Sequence, residues 1–78
     1  MAVIEVRSYR SPNGGGSAVI LQRNKGHWFV VQWGTFSGKW KHTITRYRQE
    51  KHRAIEAYET IERELVTRDM LRALGIRR

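Results

Sequence analysis

The sequence predicts an α+β fold, in which an antiparallel meander of three or four strands carries one long C-terminal amphipathic helix on one face. Apolar and polar residues alternate with a period of two over much of residues 3–47, and from about residue 48 the apolar residues follow the helical period. At 78 residues the chain should form a single domain 1–78. We expect strands within about 3–47, a helix over about 48–66 and a short terminal helical turn over about 68–74.

Four segments of the first half have the alternation and the β-branched or aromatic content of strands. They are VIEVRSY (3–9), AVILQR (18–23), HWFVVQW (27–33) and KWKHTITRY (39–47). The connections contain the residues that turns require. They are SPNGGGS (11–17), NKG (24–26) and GTFSG (34–38). The first connection is either a turn or a short flexible linker, because three consecutive glycines serve both purposes.

Alternation also predicts which side chains of the sheet face the helix. On the fourth strand, Trp40 and Ile44 share one face with His42 and Arg46, and we expect this face to pack against the helix. The opposite face of that strand would be exposed and basic, as would Arg7 and Tyr9 on the first strand. On the third strand the sequence favours Trp33, in register with Phe29 and Val31, as the core residue and leaves Trp28 on the other face, although a strand buried on both sides would cover both.

The second half of the chain has the spacing of an amphipathic helix. Ala54, Tyr58, Ile61 and Leu65 recur at helical intervals and form its apolar stripe. Thr67 is a candidate N-cap for a separate last turn, which Gly75 would end.

Positive charge is the strongest feature of the composition. Fifteen Lys and Arg residues stand against seven Asp and Glu residues, for a net charge of +8. Seven of the basic residues precede Arg48, and Glu5 is the only acidic residue in that part of the chain. Such an imbalance favours a negatively charged partner. With no cysteine, no signal peptide and no apolar run that could span a bilayer, we expect a soluble cytoplasmic protein without membrane contact.

Residues for enzymatic chemistry are scarce. The helix acids alternate with arginines, so a catalytic carboxylate pair is not expected. His27, His42 and His52 lack the spacing of a metal site, and NGGGS lacks the Lys-Ser/Thr of a phosphate loop. We therefore predict no catalytic residues, no metal and no cofactor.

The composition instead predicts a small non-enzymatic nucleic-acid-binding protein, with DNA preferred to RNA. Basic side chains on the open face of the sheet would neutralise phosphates while aromatic rings stack on sugars or bases. The predicted contact residues are Arg7, Tyr9, Arg10, Lys25, Trp28, Trp33, Lys39, Lys41, Thr43 and Arg46.

The segment FVVQWGTFSGKWKHTITRYRQEKHRAIEAYETIERELV (29–66) resembles the WGR domain. The shared features are a strand ending in Trp-Gly, a tight turn, another strand and a helix with an AxxAYExI-like start. That resemblance implies a small sheet with a helix that binds DNA ends, as in poly(ADP-ribose) polymerases. It also implies that Trp33 packs against the nucleic-acid backbone. Thr35 stands where the family has arginine.

A competing resemblance rests on WGTF (33–36) and AIEAY (54–58). These segments are similar to the AP2-type domain and to the N-terminal arm-binding domains of phage and transposon integrases. Those domains place a three-stranded sheet in the major groove of DNA. In this chain an additional strand, 39–47, lies between the two segments.

The same features allow a function of a different class. A phage- or plasmid-type accessory protein that binds or inhibits an acidic protein partner would also present exposed aromatic and basic residues. Homodimerisation stays open as well, because an exposed sheet edge in a small domain can pair with a second copy.

Overall fold

The computed structural model of the chain describes residues 3–12, 16–36 and 38–75. Within them one antiparallel sheet has its four strands in sequence order, and one helix follows. The elements are β1 (Ile4–Arg10), β2 (Ala18–Asn24), β3 (His27–Phe36), β4 (Lys39–Arg48) and α1 (Lys51–Ala73). The predicted α+β class, a meander with one C-terminal helix on one face, is confirmed.

Short connections explain the meander. Between β2 and β3 the paired residues Asn24 and His27 leave only Lys25 and Gly26 in the turn, with φ of 54° and 79°. Positive φ at both positions gives the hairpin turn whose twist matches that of the strands. Residues 13–15 of the glycine-rich connection lie outside the described residues.

The third strand is longer than the sequence analysis predicts. GTFSG was expected to form a turn, yet β3 continues through Gly34 to Phe36, which pairs with Lys39. The physical reason lies at Ser17, which is buried at the start of β2. Its hydroxyl accepts a hydrogen bond from the Thr35 backbone N–H at 3.1 Å and thereby holds this part of the strand in place.

One face of the sheet forms the hydrophobic core with the helix. The alternate residues Val19 and Leu21 of β2 lie on this face, as do Trp28 and Val30 of β3. The remaining buried members of the core are Phe36, Ala54, Tyr58 and Leu65. Tyr58 and Leu65 are essentially inaccessible to solvent, so the predicted apolar stripe of the helix lies on the sheet.

The helix covers the opposite face of the sheet from the one predicted. Trp28, not Trp33, joins the core, and Trp40 and Ile44 are 68% and 61% exposed rather than packed on the helix. Alternation shows which residues share a face, but in β2 and β3 both faces are apolar, so it does not show which face the helix covers. Hydrogen bonds from β1 to the helix acids favour the observed side.

Those hydrogen bonds involve Arg7 and Tyr9, which the sequence analysis placed on an exposed face. The Arg7 guanidinium contacts the Glu59 carboxylate at 3.2 Å and that of Glu62 at 2.7 Å. The Tyr9 hydroxyl donates a hydrogen bond to the Asp69 carboxylate at 2.9 Å. Burial, together with the hydrogen bond to Asp69, raises the pKa of Tyr9.

The helix is continuous from Lys51 to Ala73, so the predicted break at Thr67 is wrong. A threonine is tolerated inside a helix where neighbouring residues fix the backbone. Here Arg68 donates hydrogen bonds to the Thr35 carbonyl at 2.6 Å and to the Ser11 hydroxyl at 3.0 Å. The predicted stop at Gly75 is confirmed: its φ is 78°, and its N–H bonds back to the Arg72 carbonyl.

Candidate nucleic-acid interface

The face of the sheet opposite the helix, called here the open face, contains the main candidate site. Cross-strand pairing places its side chains together, because residues that oppose each other in an antiparallel pair project to the same side. On β3 and β4 the pairs are Phe29 with Arg46, Val31 with Ile44, Trp33 with His42 and Thr35 with Trp40. β2 contributes Ala18, Ile20 and Gln22 through its own pairs with β3.

Two tryptophans lie close together at one end of the open face. Trp33 and Trp40 are diagonal neighbours, since Trp33 is opposite His42 and Trp40 is opposite Thr35. Such diagonal positions are separated by roughly 7–8 Å between Cα atoms, which is within reach of aromatic side chains. Trp33 is half-buried and Trp40 is the more exposed of the pair.

The middle of the open face is apolar. Val31 lies between Ile20 and Ile44 in adjacent strands, and both Ile20 and Val31 are buried although no helix covers them. Ile44 on the edge strand remains exposed. On β4, the exposed large apolar side chains of the open face are therefore Trp40 and Ile44.

The β1 side of the open face is polar and internally paired. The Ser8 hydroxyl donates to Glu5 at 2.8 Å, and Arg10 donates to the Ser8 oxygen at 3.0 Å. Arg10 also forms an ion pair with Glu5 at 3.4 Å. The hydrogen bonds from Ser8 and then Arg10 lower the pKa of Glu5. At this side of the sheet the cation is balanced by a carboxylate.

The β4 side is not balanced in this way. None of the basic residues of β4 has an acidic partner within the described ranges 3–12, 16–36 and 38–75. These residues are Lys39, Lys41, Arg46 and Arg48. The sequence has no acidic residue between Glu5 and Glu50, so β2, β3 and β4 contain no carboxylate to balance the basic residues of β2 and β4. The side-chain neighbour of Arg46 is His27, at 3.4 Å.

The structure divides the predicted contact residues into three groups. Trp33, Arg46 and Arg10 lie on the open face, although Arg10 is paired with Glu5. Lys39, Lys41 and Thr43 are on the other face of β4, where they are exposed, and Lys25 is in the exposed β2–β3 turn. Arg7, Tyr9 and Trp28 face the helix instead.

Trp28 is predicted to contact nucleic acid, but its position in the fold leaves it no surface for such a contact. The ring is 7% exposed and belongs to the core. Two cations lie over it, with Arg23 at 5.8 Å and Lys51 at 5.7 Å from the ring centroid. A ring covered on this side by cations and elsewhere by core residues has no free surface for a ligand.

Three residues of the open face were missed as contact residues: Phe29, Trp40 and His42. Trp40 was assigned to the core because its apolar register with Ile44 is typical of a packed face. The absence of acidic residues from β2, β3 and β4 was the signal that could have suggested otherwise. An aromatic residue between two lysines on a strand without acids fits an exposed, charged edge.

No known protein family, curated protein or solved structure matches this chain. Among the described residues there is no group of three or more His, Cys, Asp or Glu side chains placed to hold a metal ion. Within the same part of the chain, no helix combines the length and apolar character needed to cross a membrane.

Proposed function

We propose that this protein is a small non-enzymatic nucleic-acid-binding protein, with DNA preferred to RNA, that binds through the open face and the adjoining β4 edge of its sheet. The observation that carries the proposal is the position of Trp40. Its ring is 68% exposed on a strand with four basic residues, none of which has an acidic partner in the described part of the chain. Such a protein would act in the cytoplasm.

Charge supplies the affinity in this mechanism. Lys39 and Lys41 project from one side of β4 and Arg46 from the other, so a backbone that follows the edge meets cations on both sides. Phosphates neutralised by these side chains release condensed counterions, and binding weakens as salt rises. Lys25 is in the β2–β3 turn, next to the end of β3 that carries His27. Because His27 is the side-chain neighbour of Arg46, Lys25 extends the basic surface at this end of the sheet.

Aromatic and hydroxyl groups would orient the bound nucleic acid on this surface. Trp40 and Trp33 offer ring surface on the open face, and the exposed Thr43 hydroxyl on the other side of β4 can donate to a phosphate oxygen. The resemblance to the WGR domain, in which the matching tryptophan packs against the nucleic-acid backbone, agrees with an accessible Trp33.

A salt titration of affinity tests the proposal. We expect a plot of log K against log [salt] to be linear, with a slope of roughly −3 for four phosphate contacts on a single strand. The double variant Lys41→Glu/Arg46→Glu should bind at least tenfold more weakly at about 0.1 M salt, and its slope should be smaller by about 1.4, the share of two phosphate contacts. Fluorescence anisotropy of a labelled oligonucleotide measures both quantities.

The matched control is Arg63→Glu/Arg72→Glu, which changes the net charge by the same amount from exposed positions on α1. Its affinity should stay within about threefold of wild type, because distant charges are screened beyond about 10 Å at this salt concentration. Equal losses for the two double variants would show that binding follows net charge alone and not the β4 surface. No binding of DNA or RNA by wild type at low salt would refute the proposal.

A second candidate function is supported by Ile44, which is 61% exposed on the same face of β4 as Trp40, with His42 between them. An exposed aliphatic and aromatic pair within a basic surface also suits an accessory or inhibitory protein that binds an acidic protein partner. Apolar contacts do not weaken with salt as phosphate contacts do. Complexes that persist at about 1 M salt would therefore favour the protein partner.

Pairing of two copies through β4 is opposed by charge. Antiparallel association at this edge would place the lysines and arginines of one copy beside those of the other, and charged edge strands are a common means of preventing such pairing. Equilibrium sedimentation at low and high salt tests whether the protein dimerises.

A further inference from the structure

We infer that the ligand is single-stranded DNA, whose bases stack on Trp40 and Trp33 while its phosphates follow the β4 edge. The inference rests on the proposed function and specifies its substrate class. It follows from the chemistry at the centre and at the tryptophan end of the open face, which offer aliphatic groups and ring surfaces where a reader of duplex DNA needs hydrogen-bonding groups.

A protein that reads a duplex contacts the edges of base pairs. Those edges present donors and acceptors, and side chains such as Arg, Asn and Gln pair with them. At the centre of the open face the exposed side chain is Ile44, and its neighbours Val31 and Ile20 in the adjacent strands are buried and also apolar. These side chains have no donor or acceptor, so base edges placed against them would lose their hydrogen bonds to water without replacement.

The faces of bases suit this surface better. In a duplex they are already stacked on one another, whereas in a single strand they are free to stack on aromatic side chains. Trp40 is exposed and its diagonal neighbour Trp33 is half-buried, so together they offer two ring surfaces for successive bases. Phe29, farther along β3 and opposite Arg46, offers a third ring beside a cation.

Charge is arranged on one side of this row of rings. The β1 side of the open face has its Arg10 paired with Glu5, whereas the β4 edge carries Arg46 on the open face and Lys39 and Lys41 on the other face, none with an acidic partner among the described residues. A duplex has phosphates on both sides of its grooves, but a single strand has one backbone. One charged edge beside one aromatic row matches that single backbone.

The apolar centre also favours DNA over RNA. A ribose placed between the ring positions would bring its 2′-hydroxyl against the exposed Ile44, where an unpaired hydroxyl is costly. Proteins that select RNA contact this hydroxyl with polar groups. Deoxyribose lacks the hydroxyl and has no such cost.

The test compares four ligands and two substitutions at one exposed position. The ligands are a single-stranded DNA of about 12 nucleotides, the duplex that it forms with its complement, the RNA of the same sequence and an abasic strand of equal length. The variants are Trp40→Leu and Trp40→Phe, both apolar, of which only phenylalanine retains a ring. Because Trp40 is exposed, both variants should fold, and their circular dichroism melting curves verify this.

We expect wild type to bind the single-stranded DNA about tenfold more tightly than the duplex, with weaker binding to the RNA and the abasic strand. Trp40→Leu should lose about tenfold in affinity for the single strand with an unchanged salt slope, and Trp40→Phe should recover most of that loss. Fluorescence of the wild-type tryptophans should be quenched by the strand that has bases.

Other outcomes separate the two proposals. Duplex binding as tight as single-strand binding, or equal losses for Trp40→Leu and Trp40→Phe, would overturn the single-strand inference and leave nucleic-acid binding intact. Tighter binding of RNA would overturn the choice of DNA. Absence of binding to all four ligands at low salt would overturn the proposed function itself.

Discussion

Replacing Gly34 with alanine is expected to lower the free energy of unfolding by roughly 4 kcal/mol, the sum of backbone strain and steric overlap. Gly34 has a φ of 115°, and a Cβ atom there would lie 2.4 Å from the Ser17 Cα and 2.5 Å from the Gly16 carbonyl oxygen. These are backbone atoms of the segment just before β2, which the hydrogen bond from the Ser11 N–H to the Ser17 carbonyl holds in place, and they cannot move aside as a flexible side chain can. The chain between β1 and β2 would therefore separate from β3, and the extended part of the β3–β4 hairpin would lose its support.

Gly38→Ala is the matched control. Its φ of 78° is also positive, but a Cβ at this position meets no atom within 4 Å. Only the cost of the left-handed conformation applies, about 1–2 kcal/mol. Urea denaturation followed by tryptophan fluorescence measures both variants. Equal destabilisation by the two substitutions would show that the close approach of Ser17 to Gly34 adds no steric cost to the alanine variant.

Asp69→Asn is expected to cost about 2 kcal/mol at neutral pH, because it removes a carboxylate that anchors the end of the helix to the sheet. The Asp69 side chain is 8% exposed and forms an ion pair with Arg68 at 3.3 Å. It also accepts a hydrogen bond from the Tyr9 hydroxyl. The asparagine keeps the shape of the side chain but not the charge.

The same carboxylate should make the free energy of unfolding depend on pH in the acidic range. Burial alone would raise the pKa of Asp69, but hydrogen bonds from Ser11 and Tyr9 and the ion pair with Arg68 hold it below its ordinary value of 3.8. The folded protein therefore binds this proton less tightly than the unfolded chain. The contribution of Asp69 is complete above the ordinary pKa and is lost as pH falls through the lower folded value.

Denaturation of wild type and Asp69→Asn from about pH 7 to pH 2 checks this expectation. The difference between the two proteins should shrink as pH falls below about 4 and should be smallest at the acid end. Glu56→Gln, at an exposed carboxylate of the same helix, should change stability by less than about 0.5 kcal/mol over the whole range. A difference at Asp69 that stays constant with pH would contradict the ionised anchor.

The order of the elements could be predicted from the sequence because each depends on local patterns. The period-two segments became strands, the stripe of Ala54, Tyr58 and Leu65 became the buried side of the helix, and Gly75 ended it. The length of β3 could not be predicted in the same way. Gly34 looks like a turn residue in sequence, and only the close approach of Ser17, in the connection just before β2, shows why a strand needs glycine there.

The face covered by the helix was likewise beyond local reasoning. β2 and β3 are apolar on both sides, so the choice depended on partners far apart in sequence, such as Arg7 with Glu62 and Tyr9 with Asp69. Because the helix packs on this face, Trp28 lies in the core and Trp40 is exposed. Predictions that depended on charge alone, such as a basic β4, did not depend on the choice of face.

The most direct test of binding through the open face is a heteronuclear NMR titration of the ¹⁵N-labelled protein with single-stranded DNA. The three tryptophan indole N–H signals report on different parts of the fold, since Trp33 and Trp40 lie on the open face and Trp28 lies in the core on the opposite face. We predict that the Trp33 and Trp40 signals and the β4 amides shift with added DNA while the Trp28 signal stays in place. Shifts confined to Trp28 and to the exposed side of the helix would contradict binding through the open face.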